Sequence, residues 1–359
     1  MTTLDQAAAG CAGITLGLLW DISWHASVGR DTVWTPAHLT IYAGALLAGL
    51  PGAWEVLRAT FAGTAAERGR SVAIWGMHGP LGAWLQVWGS AALLTAAGFD
   101  AWWHGAYGLD LGILTPAHTA LATGMIAVHA GALCTARRQG RERVFVFLAG
   151  MLLLLLATLL IEVSYPNRQH GAVFYQLSCA AYPVVLVATA RALDVRWAAT
   201  RAAAVYTGLA LAMLWVLPLF PAQPRLAPIF NAIDHMWPGL FPVMLIVPAA
   251  AVDALAGRPA RISVPLLGAI FLVLFLAVQW PLAGLLLSPA ARNPFFAGDQ
   301  WYFGVTSHQE GIFPRLGEWR HRFWDAPPGA GQVALALAAA TLSSAAGLTL
   351  GGFLSRLKR

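Results

Sequence analysis

Two stretches of the chain carry the same set of side chains that can bind a metal ion. Each contains one aspartate and two histidines: Asp21, His25 and His38 in the first stretch, and Asp100, His104 and His118 in the second. The aspartate and the first histidine are four residues apart, so a helix places both on one face. The second histidine follows 13 or 14 residues later. One carboxylate and two imidazoles that converge on one point form an open three-ligand set, as a catalytic metal ion requires.

The two stretches are copies of a longer repeat. Both read D-x-x-W-H-x-x-x-G-x-D, then a short spacer, then T-P-A-H, in residues 21–38 and 100–118. The spacer is one residue longer in the second copy. A repeat of this density predicts two related structural units. Because the recurring residues are mostly ones that can do chemistry, the repeat also predicts a pair of sites.

The element that must position the second histidine is predicted by a threonine–proline pair, at Thr35-Pro36 and Thr115-Pro116. Threonine is a good N-cap and proline favours the first helical position, so each pair predicts a helix start. The histidine then lies in the first turn of the new helix, directed at the end of the preceding one. Asp31 and Asp110 lie between the two helices, where each is predicted to accept the second ring N–H of a ligating histidine.

A structural role is the alternative reading of these residues. Aspartate and histidine at helix ends can form a hydrogen-bonded lock, and a histidine at a membrane interface is often only a polar anchor. Four nearby tryptophans, Trp24, Trp34, Trp102 and Trp103, fit the aromatic belt of a membrane protein. The matched spacing in two copies favours metal binding over the lock, since paired Asp/His clusters are typical of metal sites.

The composition predicts an all-α integral membrane protein embedded in a lipid bilayer. Of 359 residues, 58% are hydrophobic and only 11% are charged, against roughly 25% charged in soluble domains. The net charge of +6 does not indicate nucleic-acid binding, because the arginines lie in short clusters between apolar runs. The three cysteines lie far apart inside apolar runs, so no disulfide framework is predicted.

Ten apolar runs are close to the length of about 20 residues that spans a bilayer. They cover residues 6–27, 35–57, 72–99, 115–136, 143–164, 171–193, 199–219, 238–257, 263–287 and 331–355. Every second connection is rich in arginine, which predicts ten helices with both termini in the cytoplasm of a bacterial inner-membrane type protein. Both motifs then lie on the outer, periplasmic side, together with a long loop at 288–330. His78 and His129 fall inside apolar runs, where an ionisable group is a functional candidate.

The nitrogen and oxygen ligand set suits copper(II), zinc or iron. A protein that handles copper(I) would use methionine and cysteine instead, and the seven methionines are scattered along the chain. The polar residues are concentrated near the predicted outer face, whereas the inner half of the runs is nearly all alanine, leucine, valine and glycine. This distribution favours a site over a transport pathway.

The first copy resembles the signature of the C subunit of copper membrane monooxygenases, the particulate methane and ammonia monooxygenase family. The matching residues are Asp21, Trp24, His25, Arg30, Asp31, Thr32, Trp34, Thr35, Pro36 and His38. The resemblance implies copper ligands at the aspartate and the two histidines of this copy. It also implies a second site with ligand spacings of four and fourteen, where the family has asparagine and this chain has Asp100. It covers residues 1–140 and nothing after them.

These observations give two functional hypotheses. The first is a copper-dependent, monooxygenase-like membrane oxidoreductase, or its metal-bearing subunit, that acts on a small hydrophobic substrate and, as the resemblance implies, works with additional membrane subunits. The alternative is a membrane protein that binds or transfers copper or zinc without redox turnover. In both, residues 1–140 form a duplicated metal-site unit of about four helices, and residues 141–359 supply further transmembrane helices.

Overall fold

The computed structural model describes residues 2–29, 32–108, 115–223, 234–256, 263–298 and 327–357. Within these residues, eight helices are long and apolar enough to cross a membrane, which confirms the prediction of a membrane-embedded all-α protein. They are α1 Thr3–Ser27, α2 Pro36–Phe61, α5 Pro116–Arg138, α6 Glu142–Leu159, α7 Ala172–Ala192, α8 Ala198–Val216, α10 Val264–Leu286 and α11 Ala330–Arg356. The span formed by α8 continues through a 3-10 turn to Leu219.

Three further helices do not belong to these eight. They are the short α3 Ala65–Gly69, the 27-residue α4 Leu81–Tyr107 and the 11-residue α9 Ile246–Ala256. With α4 and α9 included, the described helices correspond one to one with the ten predicted apolar runs, although a count of ten spans stays a prediction. Of the predicted loop 288–330, residues 299–326 lie outside the described residues.

The prediction of a single apolar span over 72–99 is wrong at its start. Residues Val72–Ile74 and Met77–Gly79 form β1 and β2 of an antiparallel hairpin, and α4 begins only at Leu81. Trp75 and Gly76 make the two-residue turn with φ angles of 52° and 77°, the left-handed values that a tight hairpin turn needs. The hydropathy of the β-branched residues Val72 and Ile74 suits a membrane helix, although such residues also favour strands.

The prediction over 238–257 is also wrong in its first half, because residues 238–245 are not helical. Buried side chains satisfy the backbone of this segment instead. The N–H of Val243 donates to the Tyr206 hydroxyl at 3.0 Å, and the N–H of Met244 donates to Gln279 Oε1 at 2.8 Å. The side-chain amide of Gln279, which is fully buried, donates in turn to Gln169 Oε1 at 2.6 Å. Such partners are what allow non-helical backbone inside a membrane protein.

The chain divides into two compact units. The first comprises Met1–Asp21, Thr32–Leu155 and Arg356–Arg359, and the second comprises Ile22–Asp31 and Leu156–Ser355. The second unit holds α7 to α10 and nearly all of α11. In it, the carboxylate of Asp253 on α9 accepts hydrogen bonds from the first backbone N–H groups of α8, at Ala199 and Thr200. Asp253 therefore caps a helix.

In the first unit, two pairs of antiparallel helices cross at glycines. On α1 and α2, a Cβ atom added to Gly10 would lie 2.6 Å from the carbonyl oxygen of Gly44. On α4 and α5, a Cβ atom added to Gly89 would lie 2.8 Å from the carbonyl oxygen of Gly124. Both distances are too short for any side chain, so the two helices of each pair touch backbone to backbone.

These crossings occupy equivalent positions in the two copies of the repeat. In both, the first glycine lies 11 residues before the aspartate of the motif, and the second lies six residues after its second histidine. Each crossing is therefore separated from its Asp/His/His cluster by the same number of residues on both helices. The similarity between the copies extends well beyond the motif itself.

Candidate metal centre

The second cluster is built where α4 ends and α5 begins. Asp100 and His104 lie one turn apart near the end of α4. The side chain of Thr115 caps α5 by accepting a hydrogen bond from the N–H of His118 at 3.1 Å, with Pro116 at the first helical position. The predicted helix start is thus present, and it brings the second histidine to the end of α4.

The three side chains converge through Asp100. Its Oδ1 atom lies 3.2 Å from Nε2 of His104 and 3.2 Å from Nε2 of His118. One ligand atom from each of the three residues lies within 4.8 Å of the other two. Ligands bound to one ion at about 2.1 Å, with bond angles between tetrahedral and octahedral, are about 3.0–3.4 Å apart. The two aspartate–histidine distances fit this range.

The ring of His104 is oriented by backbone. Its Nδ1–H donates to the carbonyl oxygen of Gly108 at 2.9 Å, so Nε2 is the nitrogen that faces the carboxylate. If the ring is neutral, Nε2 is a hydrogen-bond acceptor that faces a second acceptor, the Asp100 carboxylate. This arrangement becomes favourable when a metal cation binds between the two atoms or when a proton is added to Nε2. A ligating histidine usually donates its other N–H to a carbonyl or carboxylate in this way.

Gly108 orients a candidate ligand and was not among the predicted site residues. It ends α4 with a φ angle of 85°, a left-handed conformation that favours glycine, and this turn brings its carbonyl oxygen to the histidine ring. The matching residue of the first copy, Gly29, has a φ of 92°. The signal was present in the sequence, since the glycine recurs at the same place in both copies.

The first cluster has the same construction. Asp21 and His25 lie one turn apart on α1, and Thr35 caps α2 by accepting a hydrogen bond from the N–H of His38 at 3.1 Å. Oδ1 of Asp21 lies 3.1 Å from Nε2 of His38. The three ligand atoms again lie within 4.8 Å of one another. The structure therefore groups all six residues that the sequence singled out as metal ligands into the two predicted sets.

Both carboxylates are buried, with residue exposures of 8% for Asp21 and 7% for Asp100. A buried carboxylate is costly unless positive charge or hydrogen-bond donors compensate it. The two clusters differ in their histidines: the side chain of His118 is 29% exposed, whereas that of His38 is 12% exposed. The second cluster is the more open of the two.

The residues predicted to support the ligands, Asp31 and Asp110, lie outside the described residues. The two histidines predicted inside apolar runs have structural partners. His129 is fully buried, with Nδ1 2.8 Å from the carbonyl oxygen of Met125 and Nε2 2.9 Å from the hydroxyl of Thr15. His78 lies on β2 rather than in a helix.

A third histidine, His170, is buried between α6 and α7 and also has a structural role. Its Nε2–H donates to the carbonyl oxygen of Trp280 at 2.9 Å, and its ring packs edge-on against that indole at 4.2 Å. Burial lowers the pKa of His170 below its ordinary value, because the charged form is poorly solvated there. The imidazole is therefore neutral at physiological pH.

Comparison with known proteins gives no match to a family model, a curated protein or a solved structure. The motif residues themselves are thus the basis of the resemblance to the monooxygenase C subunit.

Proposed function

We propose that the protein is a membrane metalloprotein in which each Asp/His/His cluster holds one transition-metal ion. The observation that carries this proposal is the convergence of Asp100, His104 and His118, with a carboxylate oxygen 3.2 Å from each of two imidazole nitrogens. A hydrogen-bonded lock would need no second copy with the same ligand set. Two copies at equivalent helix ends favour a pair of metal sites.

We further propose that the metal is copper and that the protein is a copper-dependent oxidoreductase, or the metal-bearing subunit of one. Two imidazoles and one carboxylate suit copper(II), and the motif resembles that of the monooxygenase C subunit. Bound copper would supply one-electron redox chemistry towards dioxygen. The substrate class we propose is a small hydrophobic molecule, because such a molecule dissolves in the bilayer around the helices.

The residues of the second cluster have separable roles in this proposal. The Asp100 carboxylate supplies one negative charge and one oxygen ligand, and the Nε2 atoms of His104 and His118 supply the nitrogens. The Gly108 carbonyl holds the ring of His104 in place. The exposed side of His118 leaves an approach for a small molecule.

The topology that we propose places both clusters on the outer side of the membrane, with both chain termini in the cytoplasm and ten spans in total. Although α4 is not one of the eight helices that are both long and apolar enough to cross a membrane, it packs antiparallel to both α2 and α5, as the contacts of Gly49 with Ser90 and of Gly82 with Gly131 indicate. Because α4 packs along α2 and α5, which are both predicted spans, we expect α4 to cross the bilayer as well. Arg58 and Arg138 end α2 and α5 opposite the clusters, as the positive-inside rule requires.

Electron paramagnetic resonance of the copper(II)-loaded protein in detergent tests this function. We expect hyperfine coupling to imidazole nitrogen, which weakens in His104→Ala/His118→Ala but not in His235→Ala, a histidine outside both clusters. We also expect dioxygen consumption that depends on copper and on a small apolar substrate. Binding of zinc in preference to copper, with no dioxygen consumption, would overturn the redox function in favour of metal binding or transfer.

A further inference from the structure

The connection between α2 and α4 is a packed element with its own hydrogen bonds to both helices. It contains α3 and the β1–β2 hairpin, and we refer to residues 62–80 as the connector. The indole N–H of Trp84 on α4 donates to the carbonyl oxygen of Val72 at 3.0 Å. On the other side, the N–H of His78 donates to the hydroxyl of Thr60 on α2 at 2.8 Å. The hairpin is therefore fixed to both helices.

One face of the hairpin is apolar and closely packed. Ile74 and Met77 pack against a cluster of buried side chains formed by Val56, Ala83 and Trp84. At Gly79 the approach is so close that an added Cβ atom would lie 2.6 Å from the side chain of Val56. Since an isolated two-stranded hairpin is only marginally stable, this packing is what holds the connector in shape.

The tip of the hairpin presents a largely exposed indole. Trp75 is 84% exposed and adopts a φ angle of 52°, a left-handed conformation that is uncommon and unfavourable for a bulky residue. Glycine or asparagine would fit this turn better. Strained, exposed residues of this kind point to a role outside the fold's own packing.

The hairpin folds back along α4 rather than away from it. The ring of Trp75 contacts the ring of Trp88 edge-on, with centroids 5.4 Å apart. Trp88 lies seven residues after the start of α4 at Leu81, which is about 10 Å along a helix. Trp88 is itself 44% exposed. The two indoles thus form an exposed aromatic pair roughly two turns inside the end of a helix that runs between membrane spans.

The surroundings of this pair are restricted by the backbone of the hairpin. The Thr60 hydroxyl satisfies the outward N–H and C=O of His78 on β2. On β1, the exposed Ala73 has no further strand beside it in the described two-stranded sheet, and an open strand edge does not lie in the hydrocarbon layer. The headgroup layer can satisfy such an edge, and it is also where tryptophan is enriched in membrane proteins. Arg68 and Arg70 precede the hairpin by a few residues, and basic residues at the membrane surface attract anionic lipids.

We propose that the connector is a lipid anchor that lies in the headgroup layer. Trp75 inserts its indole among the headgroups, and Arg68 and Arg70 bind the phosphates of anionic phospholipids. This inference rests on the embedding of the helices in a membrane and is independent of the proposed metal chemistry.

Depth-dependent fluorescence quenching tests the location of the tip. The described residues contain three cysteines, all buried, so Ala73→Cys at an exposed position of β1 gives one reactive site for an environment-sensitive fluorophore and leaves Trp75 in place. The labelled protein is placed in vesicles of phosphatidylcholine and phosphatidylglycerol that carry a spin label near the headgroup or near the end of the acyl chain. The matched control is Gln139→Cys, at the exposed C-cap of α5.

We expect quenching at position 73 to be several-fold stronger with the shallow spin label than with the deep one, and to exceed that of the control. Strong quenching by aqueous iodide, equal to that of the control, would overturn the proposal in favour of a solvated hairpin. Protection from both iodide and lipid-borne quenchers would overturn it in favour of burial of the tip against protein, either within the chain or against a second copy of it.

Two variants test the same proposal without a label. Trp75→Asn keeps a residue that tolerates the left-handed turn, so its Tm in detergent should stay the same or rise. Its gain in Tm on transfer to anionic vesicles should be smaller than that of the natural sequence. Arg68→Gln/Arg70→Gln should lose the difference between anionic and neutral vesicles. If both variants gain as much in Tm on transfer to anionic vesicles as the natural sequence does, the proposal is contradicted.

Discussion

Single side chains make the two clusters unequal. The ligand residues and their spacing match, yet the side chain of His118 is more than twice as exposed as that of His38. Residues 105–108, which follow His104, are exposed, whereas residues 26–29, which follow His25, are buried. A ligand that must reach a bound ion from outside would meet the second cluster first.

This difference predicts unequal metal exchange. When the metal-loaded protein is mixed with an excess of a hydrophilic chelator, we expect two phases of metal loss, with the second cluster losing its ion at least several-fold faster. The fast phase should be absent from His104→Ala/His118→Ala, and the slow phase from His25→Ala/His38→Ala. If metal loss instead occurs in a single phase, with the same rate in both variants, the exposure of His118 does not control access of the chelator to the bound ion.

The ligands were predictable because two local features of the sequence indicate them. A separation of four residues places Asp100 and His104 on one helix face, and the Thr115-Pro116 pair fixes the start of the next helix. The role of Gly108 was not predicted, because its carbonyl reaches the ring of His104 only through a turn whose φ angle is not evident from a ligand search. Asp110, which was predicted for that role, lies outside the described residues.

At the scale of helices, the glycine crossings determine where the clusters can form. The backbone contact of Gly89 with Gly124 sets the spacing of α4 and α5, and small residues at such crossings let membrane helices approach closely. Asp100 and His118 then face each other further along the same pair of helices. A wider crossing would separate the ligands.

A single methyl group at the crossing should therefore be destabilising. Gly89→Ala would place Cβ 2.8 Å from backbone atoms of α5, and overpacking of this kind typically costs about 1–3 kcal/mol. Gly98, also on α4, has no atom within 4 Å of an added Cβ, so Gly98→Ala should be neutral or stabilising by up to about 1 kcal/mol. Thermal unfolding in detergent compares the two. Equal Tm values for both variants would show that the crossing is loose.

Most helices were predictable from their apolar length, and the exceptions share a physical cause. Hydropathy does not distinguish an apolar strand from an apolar helix, so β1 and β2 fall within a predicted span, although the left-handed turn at Trp75 and Gly76 makes them a hairpin. The non-helical segment 238–245 was equally apolar. Pro238 and Pro242 are local signals against a helix there. The contacts that satisfy its backbone, with Tyr206 and Gln279, are distant in sequence and cannot be read from a local pattern.

The four helices that carry the clusters, α1, α2, α4 and α5, differ in charge between their two ends. Both clusters lie at one end of these helices, and charged residues gather at the other. There Arg138 donates to Glu55 at 2.6 Å, and Arg141 donates to Asp5 at 3.2 Å. These ion pairs connect α1, α2 and α5 at the end where the positive-inside rule predicts cytoplasm.

Labelling of intact cells tests this orientation. Trp34→Cys introduces a thiol beside the first cluster at a residue that is 69% exposed, and Gln139→Cys introduces one at the arginine-rich end. A membrane-impermeant maleimide should label the first variant in intact spheroplasts and the second only after permeabilisation. The reverse pattern would place the clusters in the cytoplasm and contradict the proposed topology.

The most direct test of the metal sites is the metal content of the detergent-purified protein, measured by elemental mass spectrometry. The natural sequence should contain two transition-metal ions per chain, predicted to be copper. His25→Ala/His38→Ala and His104→Ala/His118→Ala should each retain one, while the control His235→Ala retains both. No bound metal in a folded natural protein, or unchanged content in both double variants, would contradict the account and leave the two clusters as structural locks.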